Sequence, residues 1–137
     1  MSIVNTTVPI TSDLCEQTIL EIVRTYPFCR TELLATTAFQ RPIRTLVIGN
    51  GPRKVLFTAA HHANEWITAT LLLKFAEDYA AAIAAQGEIF GQNAVELSQK
   101  TTIYMVPMVD PDGVDLVNGA ILPGSTEYEL AKRISDD

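Results

Sequence analysis

Val55-Leu56-Phe57-Thr58-Ala59-Ala60-His61-His62-Ala63-Asn64-Glu65-Trp66 is the stretch that decides how this 137-residue chain folds. It opens on a short continuous apolar run, the pattern of a strand buried on both faces. It closes where a helical period begins. From Asn64 to about Gln86, the residues Trp66, Ala69, Thr70, Leu73 and Ala76 fall on one side of a helix, and Gly87 supplies a stop signal. His62 and Glu65 sit at the seam between strand and helix. Sites in open α/β sheets lie outside the carboxyl ends of strands, so this seam is where chemistry is expected.

Upstream, Thr11-Ser12-Asp13 offers N-cap residues, and Cys15, Ile19, Ile22, Val23 and Tyr26 recur at helical spacing, predicting a helix over residues 12–26 that Pro27 ends. Glu32 to Phe39 and Pro42 to Ile48 read as two strands of a hairpin around Gln40-Arg41, and Gly49-Asn50-Gly51-Pro52 is a turn. Downstream, a polar connector leads to Ile103-Tyr104-Met105-Val106, a second buried-type strand closed by Pro107. Asp110-Pro111-Asp112-Gly113 reads as a turn shaped by Asp112 and by Gly113, which is free to take positive φ. Gly119 to Gly124 reads as loop and Thr126 to Ile134 as a last helix. The order predicts an α/β layer pattern with a mixed sheet. Two buried strands need neighbours on both sides, and the hairpin supplies only two more strands. One central edge is therefore expected to be bare, and residues 1–137 read as the unfinished, N-terminal part of a single domain.

Bulk properties narrow the function. Apolar residues at 47% and charged residues at 19% give an ordinary globular balance. A net charge of −6 counts against a broad electrostatic grip on nucleic acid or anionic lipid. The N-terminus carries no basic stretch followed by an apolar core, so no signal peptide is expected. Lys74, Glu77 and Asp78 interrupt the apolar run from Trp66 to Ala85, which rules against a membrane span. Cys15 and Cys29 lack Cys-x-x-Cys spacing and are too few for a disulfide framework, so both are expected reduced and buried. A cytoplasmic location follows as the expectation.

His62 and Glu65 lie three residues apart, and a short turn can bring an imidazole nitrogen and a carboxylate oxygen onto one cation. Zinc takes such donors, three from the protein plus a water in a catalytic site. A His-x-x-Glu pair alone is a weak motif. The bland alternative is a histidine packed at a strand end and a glutamate favoured by the helix dipole. The buried strand before the pair, the long helix after it and the second strand with its Pro-Asp-Gly continuation argue for the metal.

The run Phe57 to Thr68 resembles the zinc-binding segment of the carboxypeptidase A-like metallocarboxypeptidases, whose pattern is His-Ala-x-Glu-Trp. Val106-Pro107-Met108-Val109-Asp110-Pro111-Asp112-Gly113 is similar to the second landmark of that family, a strand followed by Asn-Pro-Asp-Gly. The likeness covers about residues 13–137. Val114 to Gly119 further resembles the bacterial branch that cleaves γ-D-glutamyl-diamino acid bonds in cell-wall peptides.

The resemblance implies a three-layer α/β/α fold, a Zn2+ cofactor, and His62 and Glu65 as the first two metal ligands. His61 is not a ligand position in the family, and Asp110 stands where the family has asparagine. The third ligand, a histidine, lies well downstream of the Asn-Pro-Asp-Gly landmark. So do the oxyanion arginine and the general-base glutamate, which are expected beyond Asp137, the last residue of the sequence. No catalytic residue is therefore expected within this chain, which alone should be inert. Cys15, Cys29, Asp110 and Asp112 are the only local donors that could replace the missing ligand, and nothing in their spacing asks for it. Lys132, Arg133, Glu127 and Glu129 read as surface residues. The implied partners are a peptide or muropeptide substrate and the missing C-terminal half of the domain, with neither nucleic acid nor membrane. Removal of ordinary protein C-termini is the alternative activity, and a non-catalytic peptide-binding remnant is the alternative to an enzyme.

Overall fold

The computed structural model describes residues 2–136. Asp137, beyond which the general base and the oxyanion arginine are expected, lies outside the described residues. Helix α1 (Ser12–Thr25) leads to a hairpin of β1 (Arg30–Thr36) and β2 (Pro42–Ile48), then to β3 (Arg53–Thr58). A 3-10 turn (Ala63–Glu65) precedes the long α2 (Ile67–Ala84), and β4 (Glu88–Ile89), β5 (Gln92–Asn93) and α3 (Ala94–Lys100) lead into β6 (Thr101–Val106). Helices α4 (Pro111–Val117) and α5 (Thr126–Asp136) complete the described part. Four strands form a mixed sheet in the order β1-β2-β6-β3, and the helices flank it. The pairs β1–β2 and β2–β6 are antiparallel, whereas β3 and β6 run parallel. No helix among the described residues is long and apolar enough to cross a membrane.

Local chemistry accounts for the element starts. The Thr11 hydroxyl accepts from the Leu14 N–H at 3.3 Å, capping the first turn of α1. Asn93 does the same for α3 through the Glu96 N–H at 2.9 Å. Ile19, Ile22, Leu46, Ile48, Leu73, Tyr79, Met105 and Val114 are fully buried and join α1, β2, α2, β6 and α4 in one core. Gly51 is buried where the turn before β3 meets the backbone of Lys100 and Thr101, and a Cβ there would collide with both. This close approach sets β3 beside the start of β6.

Several elements differ from the sequence reading. Strand β6 is buried everywhere but Tyr104, as expected. Strand β3 is not doubly buried: it lies at the sheet edge, with Leu56 64% and Phe57 45% exposed. A run of apolar residues marks a strand without telling a central position from an edge that presents apolar surface. The bare edge expected from the strand count is the outer edge of β3. Asp110-Pro111-Asp112-Gly113 is no isolated turn, since Asp110 caps α4 and Pro111 is its first residue. Gly113 is helical and has no positive φ. It is small because a Cβ there would strike the Asp110 carboxylate. At the end of α2, Gln86 (φ 53°) rather than Gly87 takes the left-handed position, and the Gly87 N–H returns to the Ala82 carbonyl at 2.9 Å. The polar connector contains β4, β5 and α3.

Two buried carboxylates tie distant segments together. Asp115, on α4, accepts from the Ser12 N–H at 2.7 Å, from the Ser12 hydroxyl and from Arg41 Nε. Arg41 also reaches Glu127 at 3.1 Å and Asp112 at 3.6 Å. Glu127 is thus half of an ion pair rather than a bare surface residue. The cluster joins the start of α1, the β1–β2 turn, α4 and α5. Glu77, on α2, holds the N-terminal segment: it accepts from the Ser2 hydroxyl at 2.8 Å, the Val4 N–H at 3.2 Å and the Ile3 N–H, with Lys74 at 3.2 Å.

Burial alone would raise the Glu77 pKa, but the hydrogen bonds from Ile3, Ser2, Val4 and Lys74 outweigh it and leave the carboxyl below its ordinary value. A carboxylate with a lowered folded pKa contributes stability that is complete above its unfolded value and is lost as pH falls through the folded one. Urea unfolding should therefore show the wild type losing stability over Glu77→Gln as pH drops below the ordinary carboxylate range, and parallel pH curves for the two would contradict the clamp. Asp115→Ala, which leaves the Ser12 N–H and hydroxyl without their acceptor and Arg41 with only Glu127 and Asp112, should cost about 3 kcal/mol in the same assay at neutral pH.

Candidate metal centre

The backbone pairing of β3 with β6 continues past the ends of both strands. The Ala59 N–H donates to the Val106 carbonyl at 3.0 Å. The Val109 N–H then donates to the Ala59 carbonyl at 3.1 Å and the Asp110 N–H to that of Ala60 at 3.0 Å. Ala60, buried, adopts φ 48°, a left-handed conformation that turns the chain away from the strand direction. His62 follows in extended conformation and its carbonyl accepts the Glu65 N–H at 2.9 Å, which closes the 3-10 turn. A Cβ on Gly113 would sit 3.0 Å from the Ala63 methyl, so α4 lies directly against that turn.

This geometry brings His62 Nδ1 and Glu65 Oε2 together in a hydrogen bond of 2.9 Å, with side chains 75% and 51% exposed. Two donors at ~2.0–2.1 Å from a tetrahedral zinc stand roughly 3.3 Å from each other. A metal there would replace the hydrogen bond between them and part the two atoms by a few tenths of an ångström. The donor types also fit, one imidazole nitrogen and one carboxylate oxygen. The pair thus sets two zinc-type donors side by side, open to solvent.

Other candidates lie apart from it. His61 turns to the Thr58 hydroxyl, 2.8 Å from its Nε2. Asp110 accepts the Gly113 N–H at 3.0 Å, and Asp112 accepts from the Thr37 hydroxyl at 2.7 Å. Cys15 and Cys29 are buried, and burial pushes each thiol up to about 12, with Glu16 and Asp115 adding to the effect at Cys15. Among the described residues no group of three His, Cys, Asp or Glu could hold a metal ion. Lys132 and Arg133 are exposed on α5. Beside the turn lies an open apolar depression of about 360 Å³, between Phe57 and Ala59 on the strand side and Thr68, Leu71 and Phe75 on α2. Ala60 and Thr68, which shape the turn, do not stand out in the sequence, because neither a backbone dihedral nor a hydroxyl bridge leaves a periodic signal.

Known proteins resemble this chain in sequence and in fold. Residues 15–130 match the zinc carboxypeptidase family. The chain is 40% identical over 92 residues to γ-D-glutamyl-L-diamino acid endopeptidase 1 of Lysinibacillus sphaericus, covering 67% of this chain and 23% of that protein. It is 36% identical over 120 residues to the uncharacterised protein YqgT of Bacillus subtilis strain 168, covering 85% of this chain and 32% of the other. The chain therefore spans about a quarter to a third of the length of these curated relatives. In fold it is similar to a metallo-carboxypeptidase from Burkholderia cenocepacia, with a TM-score of 0.59 and 24% identity over 93% of this chain and 38% of that one.

The two thiols provide a check on core packing away from the site. Buried and protonated, Cys15 and Cys29 should react with a chromogenic disulfide reagent only at the rate of unfolding, and fast modification of the native chain would contradict their burial.

Proposed function

The chain belongs to the zinc carboxypeptidase family, and from that premise we propose that it is the metal-binding front part of a metallopeptidase acting on the γ-D-glutamyl-diamino acid bond of cell-wall peptides. The observation that carries the reading is the pairing of His62 Nδ1 with Glu65 Oε2 at 2.9 Å beyond the carboxyl end of β3. The family's metal is zinc, and those two atoms would hold it. His62 must offer Nδ1 as a lone pair, which leaves its ring proton on Nε2. Glu65 contributes as a carboxylate. When bound, zinc supplies Lewis-acid polarisation of the scissile carbonyl and a water acidic enough to deprotonate near neutral pH.

The chain's own residues hold, orient and shape. The ladder from Ala59 to Asp110 fixes where the turn begins, and α4 backs it. In this reading the third metal donor, the general base and the oxyanion donor come from residues beyond Asp137, and the 137-residue chain alone is inert. In the proposed enzyme the rest of the domain adds to the outer edge of β3, over Leu56 and Phe57. The cell-wall substrate is supported by the name of the Lysinibacillus sphaericus relative. The cytoplasm is the proposed location.

Hydrolysis assays with a γ-D-glutamyl-diamino acid peptide test both parts. The 137-residue chain should give no turnover above buffer, and measurable turnover would overturn its inertness. A longer chain that adds the third metal donor, the base and the oxyanion donor should cleave the peptide, with Glu65→Gln lowering activity and zinc affinity more than ~100-fold. Release of ordinary C-terminal residues, with the γ-D-glutamyl bond left intact, would overturn the substrate assignment in favour of a general carboxypeptidase.

A further inference from the structure

We propose that Thr68 is a positioning residue for the zinc pair, its hydroxyl bridging the two ends of the turn that carries His62 and Glu65. The proposal rests on the reading of that pair as metal ligands. The Thr68 hydroxyl accepts the Ala60 N–H at 2.9 Å and donates to the Glu65 carbonyl at 2.7 Å. One oxygen thereby closes the loop from residue 60 to residue 65. It grips the left-handed residue at one end and the second ligand at the other.

Each bond has a physical consequence. Ala60 is 1% exposed, so its N–H has no ready substitute in solvent if the hydroxyl is removed. Ala60 at φ 48° also stores strain, which persists only where surrounding contacts over-determine it. Its carbonyl is already held by the Asp110 N–H, and Thr68 holds the opposite side of the same residue. At the other end, the bond to the Glu65 carbonyl sets the peptide plane from which the ligand side chain leaves. A hydroxyl is the smallest side-chain group that both donates and accepts, so serine can replace threonine here and valine, of the same shape, cannot.

Zinc affinity, measured calorimetrically with the metal alone, separates this role from general stability. In wild type, Thr68→Val, Thr68→Ser and His62→Ala, the valine variant should bind about 10–100-fold more weakly than wild type and the serine variant within about threefold of it. Valine binding as tightly as wild type, with His62→Ala impaired, would overturn the role of Thr68 and leave the ligand pair standing. Undiminished binding by His62→Ala would overturn the pair and the proposal with it. A second readout needs no variant. The Ala60 N–H of the wild-type chain should exchange with deuterium far more slowly than that of exposed His61. Equal rates would show that the hydroxyl bridge is not formed in solution.

Discussion

Hydrogen bonds between β3 and β6 run on beyond both strands, and the candidate metal turn hangs from them. Six residue pairs, from Arg53–Thr101 to Thr58–Val106, set the parallel register. The same register then places Ala59 against Val106 and Val109, and Ala60 against Asp110. Each net bond is worth only about 1 kcal/mol. Their effect lies in direction, because successive backbone bonds leave the chain one way to depart from the sheet. Ala60 takes that exit in a left-handed conformation, and the short 3-10 turn then brings a nitrogen and an oxygen to the same spot. A slip of one residue in the β3–β6 register would reverse the faces of the strand and point the turn elsewhere.

Around this ladder the fold is asymmetric. Strand β6 is enclosed by β2, β3 and the helices, whereas β3 turns unpaired backbone and two large apolar side chains outward. Leu71 on α2 and Phe90 in the β4–β5 turn, 71% and 86% exposed, add apolar surface of their own. Phe57 and Phe90 both pack against Phe75, which joins the strand, the helix and the small β4–β5 hairpin. Such an edge is ordinarily covered. Its position fits the proposed completion of the domain along β3, next to the His62–Glu65 pair.

Much of this is legible in the residues. The capped start of α1, the hairpin, the long α2 and the strand before Pro107 follow from periodicity and turn chemistry, and His62 and Glu65 stand out by type and spacing. The departures have specific causes. Val55 to Phe57 reads as doubly buried because hydrophobicity reports that a strand has apolar surface to cover, not whether the cover lies in the same stretch of chain. Asp110-Pro111-Asp112-Gly113 carries turn residues, yet an N-capping aspartate and a proline at the first position also begin a helix, and Val114 and Asp115 decide for the helix by being buried. Helix α3 is only seven residues long and gives too few turns for its period to show. The Arg41–Asp115 clamp joins positions 74 apart, which no local pattern could pair.

The most direct measurement is anomalous diffraction at the zinc absorption edge from crystals of this chain grown or soaked with the metal. A single strong peak is expected between His62 Nδ1 and Glu65 Oε2, with the remaining coordination positions filled by solvent. A peak at His61, Asp112 or the cysteines, with none at the His62–Glu65 pair, would contradict the assignment of the metal turn.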